Sequence, residues 1–233
     1  MHWVNELQKL LKNCVEQQRK CFTENSSMPY PTILTAIEKN TTIFIPDPVS
    51  LKSTYETLKS NDNSTSFPFW AKIWPSAKAM TMFLQNNLHN IELKKVLEIG
   101  AGIGLPSFSI ASQATELIIS DYSNDAIKLI QKNIDHLKLT NTKALYLDWN
   151  DFPLDIKADT ILLSDTNYDP TQIDPLLKLI NHYLANGTTI IISTPERITA
   201  NTFVNALQQF IKYSCLQRVE EAENMIEIRI LVL

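Results

Sequence analysis

Two kinds of hydrophobic pattern alternate along the chain from Lys95 onward. Short runs of apolar, often β-branched residues predict buried strands, and between them apolar positions recur at helical spacing. Because parallel strands need crossover connections and crossover helices cover both faces of a sheet, the alternation predicts a doubly wound α/β domain. The predicted strands lie in KKVLEIG, ELIISD, KALYLD, ADTILLSD and GTTIIIST, and the predicted helices near 104–113, 123–137, 171–185 and 199–212.

Two further strand-like runs, SCLQRVEEA and MIEIRILVL, follow the last predicted helix. Only about Glu223 and Asn224 separate them, which is too short for a helical crossover, so they are predicted to pair as an antiparallel hairpin at one edge. The expected fold is therefore α/β: a Rossmann-like, doubly wound, seven-stranded sheet that is mostly parallel and ends in an antiparallel hairpin.

The beginning of the chain has a different pattern. Apolar residues at helical spacing predict an amphipathic helix over residues 3–22. Two β-rich runs, Thr32 to Ile37 and Thr41 to Ile45, predict a hairpin that turns at Lys39–Asn40. We interpret this helix and hairpin as a cover over the rest of the same chain.

The polar segment ETLKSNDNSTS, residues 56–66, is rich in turn-forming residues and predicts an exposed loop. After this loop the hydrophobic pattern changes, and from Lys95 onward it is the alternation of strands and helices described above. We therefore divide the chain into an N-terminal cover segment, residues 1–66, and an α/β domain, residues 67–233.

Composition and charge exclude several classes of protein. The chain has 233 residues, of which 44% are apolar and 20% charged, which is ordinary for a globular protein. Its net charge of −4 comes without a run of Lys and Arg, so no nucleic-acid partner is expected. No apolar stretch approaches the ~20 residues that cross a bilayer, and no signal peptide is visible at the start, so we expect a cytoplasmic protein without a membrane partner.

Cysteines and histidines give no sign of a metal centre. Cys14, Cys21 and Cys215 are odd in number and lack C-x-x-C spacing, so we interpret them as reduced thiols. The four histidines are scattered without metal-ligand spacing, and no metal is expected. The expected oligomeric state is a monomer.

A glycine cluster follows the first strand of the α/β domain. The chain has four glycines, and three of them, Gly100, Gly102 and Gly104, lie in LEIGAGIGLPS. A dinucleotide-binding G-x-G-x-x-G pattern would need its third glycine at position 105, which is Leu105. Asp121 ends the next strand, where an acid can bind both hydroxyls of a ribose. The turn and this acid indicate an adenosine-containing cofactor without specifying which one.

Acidic and aromatic residues end the following strands. LYLDWN places Asp148 and Trp149 after the third strand, and LLSDTNYDP places Asp165 and Tyr168 after the fourth. In an open α/β sheet the ligand crevice lies outside these carboxyl ends. Upstream, Trp74 begins a Trp-Pro-Ser-Ala element whose proline suits the first position of a helix.

Purely structural roles stay open for some of these residues. Asp121 is a possible helix N-cap, although Ser123 is the better one, and Asp165 is a possible cap or turn residue ahead of Pro170. A place at the border of an acceptor site is considered for TPER, Thr194 to Arg197, but is not favoured.

Glu98-x-Gly100-x-Gly102-x-Gly104 resembles motif I of the seven-strand S-adenosylmethionine-dependent methyltransferases. Together with the Trp-Pro element, the Asp-Trp pair and the D-x-x-Y motif, it resembles methyltransferase family 16, a protein-lysine methyltransferase group that also includes nicotinamide methyltransferase-like chains. The resemblance covers roughly residues 67–233 and implies S-adenosyl-L-methionine as the cofactor. The cofactor-binding residues it implies are Trp74, Glu98, Gly100, Gly102, Gly104, Asp121, Tyr122, Asp148, Trp149 and Ser164.

The same resemblance places Asp165 and Tyr168 toward the substrate. The hypothesis is that Asp165 orients an incoming amine and Tyr168 forms the wall of its channel, with proton loss to water before methyl transfer. Glu98 would hold the ammonium group of the cofactor, directly or through water.

Other functions remain as alternatives to the methylation of a protein lysine. A small-molecule acceptor is possible because of the nicotinamide methyltransferase-like chains. A nucleic-acid methyltransferase is less favoured because Asp165-Thr-Asn-Tyr168 lacks the two central prolines of a D-P-P-Y motif. A non-catalytic binding module would not need the glycine turn. Leu105 argues against a nicotinamide-dependent oxidoreductase, because the dinucleotide-binding pattern needs glycine at that position.

Overall fold

Nine strands form two sheets in the structure, a computed structural model that describes residues 30–38, 41–153 and 155–233. The strands are β1 (Thr32–Glu38), β2 (Thr41–Pro46), β3 (Lys95–Ile99), β4 (Glu116–Asp121), β5 (Thr142–Tyr146), β6 (Thr160–Ser164), β7 (Thr189–Pro195), β8 (Tyr213–Glu221) and β9 (Asn224–Val232). The first two form a hairpin, and the other seven form one sheet in the order β5-β4-β3-β6-β7-β9-β8.

The α-helices of the described residues are α1 (Pro48–Asn61), α2 (Pro75–Asn87), α3 (Leu105–Ser109), α4 (Asn124–Leu137), α5 (Ile173–Ala185) and α6 (Ile198–Leu207). Short 3-10 turns lie at Phe69–Ala71, Leu88–Asn90, Trp149–Asp151, Pro170–Gln172 and Gln208–Phe210. The helix predicted near 104–113 is shorter than expected because the N–H of Ile110 turns to the carbonyl of Ser107, which closes α3. None of the described helices is long and apolar enough to cross a membrane.

The five strands from β3 to β7 are parallel neighbours in the larger sheet, with β5 at one edge. Helices cover both faces of this sheet, so strand residues that point to either face are buried. Examples with no exposed surface are Leu97, Ile161 and Ile191. β4 and β5 lie on one side of β3, while β6 and β7 lie on the other. The order of the strands therefore reverses beside β3, and a crevice opens at the carboxyl end of such a switch point.

The C-terminal hairpin completes the sheet. β9 pairs antiparallel with both β7 and β8 and lies between them, so β8 is the edge strand on the side opposite β5. Ala222, in the turn between the two strands, has a φ of 55°. The predicted seven-stranded fold with an antiparallel C-terminal hairpin is confirmed.

The predicted N-terminal hairpin is also confirmed, as β1 and β2. The main-chain N–H of Phe44 donates to Oδ1 of Asn133 at 2.7 Å, and Nδ2 of Asn133 donates back to the Phe44 carbonyl at 2.9 Å. Ile43 of β2 has no exposed surface and belongs to the same hydrophobic core as the sheet. The hairpin is therefore fixed to α4. The predicted helix over residues 3–22 lies outside the described residues, and the boundary after residue 66 stays a prediction.

The prediction of a loop over residues 56–66 is wrong for its first part, because α1 continues to Asn61. This helix begins at Pro48, and the carboxylate of Asp47 accepts hydrogen bonds from two N–H groups of its first turn. Leu51 is its buried residue, so the sequence of α1 lacks the apolar stripe by which a helix is recognised.

Candidate active site

The glycine turn after β3 brings the main chain close to a second segment. Gly100, Gly102 and Gly104 have φ angles of 66°, 56° and 80°, in the left-handed region that favours glycine. A Cβ atom on Gly102 would lie 2.8 Å from the carbonyl oxygen of Trp70. Because that oxygen belongs to the main chain, no side-chain rotation makes room for the extra atom. Packing of the turn against Trp70 therefore requires glycine at position 102.

Asp121, at the end of β4, is tied to this turn. Its Oδ2 accepts a hydrogen bond from the N–H of Gly102 at 2.8 Å, and its Oδ1 accepts one from the N–H of Ser123 at 2.8 Å. The residue is buried, and burial raises the pKa of its carboxyl group. Ser123, rather than Asp121, caps α4 by accepting from the N–H of Ala126. A carboxylate oxygen can accept two hydrogen bonds, so the fixed Asp121 carboxylate retains capacity for the hydroxyls of a ligand.

Two cavities adjoin each other along the carboxyl ends of β3, β4, β5 and β6. The first, of about 270 Å³, lies between the glycine turn, the segment before α2 and the loop after β6. The second, of about 210 Å³, extends toward the turn after β5. Gly100, Tyr122, Trp149 and Tyr168 line both cavities, which are therefore compartments of one crevice.

Trp149 and Asp148 form a wall of the second cavity. The indole N–H of Trp149 donates to Oε1 of Gln172 at 2.7 Å, and a Cβ on Gly100 would lie 3.1 Å from the indole ring. The ring is thus held close to the glycine turn. Oδ1 of the half-buried Asp148 accepts from the N–H of Asn150 at 2.9 Å. An aromatic face beside a carboxylate suits a planar heterocycle that carries an amino group.

Three of the aromatic side chains that line the first cavity form what we call the aromatic wall: Phe69, Trp74 and Tyr168. The centroid of the Phe69 ring lies 5.7 Å from that of Tyr168 and 6.1 Å from that of Trp74. Nε1 of Trp74 donates to the Phe69 carbonyl at 2.9 Å, and Nζ of Lys72 lies 4.6 Å from the centroid of the Trp74 ring. Burial raises the pKa of Tyr168 to about 12, so its hydroxyl stays protonated at neutral pH and does not act as a base there.

Asp165 follows β6 in an unusual backbone conformation. Its φ of 56° lies in the left-handed region, which is uncommon for a residue with a side chain. Its N–H donates to the carbonyl of Ser193 in β7 at 2.9 Å, and its Oδ1 forms an ion pair with Nη2 of Arg197. The Asp165 side chain is 11% exposed, and that of Arg197 is 36% exposed. Burial raises the pKa of Asp165, whereas the positive charge of Arg197 opposes this rise.

Some polar atoms in and behind the crevice have no hydrogen-bond partner within the described part of the chain. They include the buried hydroxyls of Ser164 and Thr166, which line the first cavity. Behind the turn, Oε2 of the fully buried Glu98 accepts from the N–H of Ser107 at 3.2 Å, while its Oε1 lacks a partner among described residues. Burial raises the pKa of Glu98 to about 7. With Asp121 beside them, the free hydroxyls suit a nucleoside with an amino-acid tail, and so fit S-adenosylmethionine.

Most of the predicted site residues come together in the crevice. Those that line one or both cavities are Trp74, Gly100, Gly102, Asp121, Tyr122, Asp148, Trp149, Ser164, Asp165 and Tyr168. Glu98 and Gly104 line neither cavity, so Glu98 has no direct path to a ligand ammonium in this structure. The roles of all these residues stay predictions.

Phe69, Lys72 and Arg197 also line the first cavity and were not among the predicted site residues. The aromatic density of PFWAKIW was a signal for Phe69. Arg197 is the last residue of the TPER segment, which begins within the end of β7, and it is the residue of that segment that lines the first cavity. Nothing in the sequence singled out Lys72.

Comparisons with known proteins indicate the family of the chain. A family model described as lysine methyltransferase matches residues 54–210. The chain is 27% identical over 172 residues to electron transfer flavoprotein beta subunit lysine methyltransferase of Mus musculus, a match that covers 68% of this chain and 64% of that protein. It is 28% identical over 114 residues to histone-arginine methyltransferase METTL23 of Homo sapiens, covering 46% of this chain and 60% of that protein. The match therefore spans less than two thirds of the length of each relative.

Solved structures share the fold. The tRNA (uracil-54, C5)-methyltransferase of Pyrococcus abyssi, in complex with S-adenosyl-L-homocysteine, superimposes with a TM-score of 0.57 at 12% identity, over 87% of this chain and 44% of that chain. At such identity the likeness establishes the fold alone. The family match covers more than half of the chain, from within α1 to the end of the turn after α6. On this basis, the chain belongs to the lysine methyltransferase family.

Proposed function

We propose that this chain is an S-adenosylmethionine-dependent N-methyltransferase that acts on the side-chain nitrogen of a protein lysine. The observation that carries the proposal is that the fixed carboxylate of Asp121 and the loop from Asp165 to Tyr168 line the same cavity. A nucleoside held by one and an acceptor met by the other would therefore be neighbours. Family membership and the names of the relatives support a protein as the acceptor.

The cofactor would lie across both compartments of the crevice. Asp121 would accept hydrogen bonds from its ribose hydroxyls, and Tyr122 would border the ribose. Asp148 and Trp149 would hold its adenine ring by a hydrogen bond and an aromatic face. Ser164 would bind its amino-acid part near the glycine turn. When bound, S-adenosylmethionine supplies a methyl group attached to a sulfonium sulfur.

Glu98 would act on the cofactor indirectly. Its carboxyl group lies behind the turn and accepts from the first turn of α3, so it supports the shape of the glycine turn. Any effect on a ligand ammonium would pass through intervening groups or water. We therefore assign Glu98 to the support of the cofactor site.

The acceptor amine would enter along the aromatic wall. Phe69, Trp74 and Tyr168 give an apolar surface that suits the four methylene groups of a lysine and excludes water around its nitrogen. Oδ2 of Asp165 has no hydrogen-bond partner among the described residues and would accept an N–H of the amine. The amine would then be held with its lone pair available for the methyl group.

Protonation of the amine sets the energetic problem that the site must solve. A lysine amine has a reference pKa near 10.4, so its neutral form costs about 4.6 kcal/mol at pH 7. Burial against the aromatic wall lowers the pKa of the amine, because an apolar environment disfavours the charged form. The proton would be lost to water before the nitrogen reaches the inner end of the cavity.

The test is transfer of a labelled methyl group from the cofactor to a cell extract. The full chain is incubated with tritiated S-adenosylmethionine and the extract, which is then separated into protein and small-molecule fractions. Label in the protein fraction that co-migrates with methyl-lysine after hydrolysis supports the proposal. Label confined to the small-molecule fraction contradicts the proposal and favours a nicotinamide-like acceptor. Label that co-migrates with methyl-arginine contradicts lysine as the acceptor and indicates arginine.

A further inference from the structure

Arg197 and Asp165 form an ion pair across neighbouring strand ends, inside the cavity that the proposed function assigns to the acceptor. Asp165 directly follows β6, and Arg197 lies between β7 and α6, immediately before the helix. Both side chains line the first cavity. The pair is therefore part of the cavity surface rather than an ordinary surface salt bridge.

The backbone fixes the position of Asp165 independently of the ion pair. Its φ of 56° is maintained by the hydrogen bond from its N–H to the carbonyl of Ser193. Its side chain is 11% exposed, so its carboxylate has little access to water. Oδ1 faces Arg197, and Oδ2 has no partner among the described residues. One oxygen is thus held by a cation and the other is free for a ligand.

An isolated carboxylate at this place would oppose methyl transfer in two ways. A buried carboxyl group without a cation tends to take up a proton, and a protonated oxygen no longer accepts a hydrogen bond in the same way. If it stays ionised, its negative charge stabilises the ammonium form of the acceptor, which has no lone pair for the methyl group. A positive charge on the other oxygen removes both difficulties.

We propose that Arg197 is a positioning residue that keeps Asp165 ionised and balances its charge, so that Oδ2 orients a neutral acceptor amine without holding it as an ammonium ion. This inference rests on the proposed function, because it concerns the same acceptor site. It gives a role to a charged pair that lines the same cavity as the aromatic wall.

The charged and titratable groups that line the same cavity come from several elements. They are Asp121 and Tyr122 at the end of β4, Lys72 before α2, Tyr168 in the loop of Asp165, and Arg197 at the start of α6. Lys72 is paired with Glu221 at 2.9 Å, and Asp121 is bonded to main-chain N–H groups. Arg197 is therefore the cation in ion-pair contact with Asp165.

The test compares three variants of the full chain. Arg197→Met removes the charge and keeps the aliphatic length, whereas Arg197→Lys keeps the charge. Arg229→Met is the matched control, because Arg229 forms a similar ion pair with Glu196, and neither of these residues lines the first cavity. The pKa of the Asp165 carboxyl is followed by ¹³C NMR of aspartate-labelled protein, and affinity for S-adenosylhomocysteine is measured by calorimetry.

We expect Arg197→Met to raise the pKa of Asp165 by about one unit or more, while Arg197→Lys and Arg229→Met stay close to wild type. We also expect tritium transfer to the protein fraction to fall about tenfold at pH 7 in Arg197→Met and to recover partly at pH 9, since higher pH supplies the neutral amine. Affinity for S-adenosylhomocysteine should change less than about threefold, because the cofactor residues are untouched.

An unchanged titration of Asp165 in Arg197→Met would overturn the inference. So would a loss of transfer that is equal at pH 7 and pH 9 and accompanied by weaker binding of S-adenosylhomocysteine, since that pattern indicates a structural role. If the wild-type chain transfers no label to protein, the proposed function fails. The NMR titration is independent of substrate and still decides whether Arg197 controls Asp165.

Discussion

Replacing Gly102 by alanine tests whether the glycine turn is fixed by contact with Trp70. The added Cβ would lie 2.8 Å from the Trp70 carbonyl oxygen, and the backbone φ of 56° disfavours any residue with a side chain. The N–H of Gly102 also donates to Asp121, so a shift of the turn would move the carboxylate proposed to bind the ribose. We expect both stability and cofactor affinity to fall.

Gly187 provides the matched control for this substitution. Its φ is 79°, and a Cβ at this position would have nothing within 4 Å. Gly187→Ala therefore carries only the backbone cost of about 1–2 kcal/mol, reduced by about 0.4–1 kcal/mol because alanine restricts the unfolded chain. Gly102→Ala carries the same cost together with about 1–3 kcal/mol for forcing the neighbouring main chain apart. The free energy of unfolding should thus fall by about 1–3 kcal/mol more in Gly102→Ala than in Gly187→Ala.

Denaturant unfolding of the two variants measures this difference, and calorimetry with S-adenosylhomocysteine measures the effect on the site. Gly187→Ala should bind like the wild type, whereas Gly102→Ala should bind at least about tenfold more weakly, a loss of about 1.4 kcal/mol. Equal stability of the two variants would refute the steric argument. Wild-type affinity in Gly102→Ala would refute the link between the turn and Asp121.

Three further predictions concern individual carboxyl groups. Asp165→Ala should leave affinity for S-adenosylhomocysteine within a few-fold but strongly reduce tritium transfer to protein, and unchanged transfer would refute its role toward the acceptor. Asp121→Asn should weaken binding of S-adenosylhomocysteine in calorimetry by about tenfold or more, since hydrogen bonds to a charged acceptor contribute about 1.5–3 kcal/mol. Burial raises the pKa of Glu98 from 4.5 to about 7, so the stability due to its protonated form is complete below pH 4.5 and is lost as the pH rises through 7. Between pH 5 and pH 8 the free energy of unfolding should fall by about 2.5 kcal/mol more in the wild type than in Glu98→Gln, and an equal fall in the two proteins would contradict this origin.

The central sheet was predictable because its signal is local. Each buried strand is a short apolar run, and the crossover helices carry their own apolar stripes. The glycine turn and Asp121 could be placed for the same reason, since each lies at the end of a strand that the pattern defines. The course of α1 could not be predicted because one buried residue, Leu51, gives no periodic signal.

The ion pair of Asp165 and Arg197 could not be predicted from local pattern. The two residues are 32 positions apart, and they meet only because β6 and β7 are neighbours in the sheet. The position of Glu98 depends on the alternation of side chains along β3, which turns it toward α3 and away from the cavities. To predict that Glu98 lies apart from the ligand site, one must therefore know which face of the sheet α3 covers.

The strand order at the C-terminal edge has a consequence for synthesis of the chain on the ribosome. β8 is made before β9, yet β9 is the strand with which it pairs, and β9 is also the strand that covers the edge of β7. Until β9 emerges, β7 presents an unpaired edge and β8 has no partner in the sheet. A sheet of β3 to β7 that forms before β9 emerges would therefore have an open edge at β7, and an open edge of this kind favours aggregation.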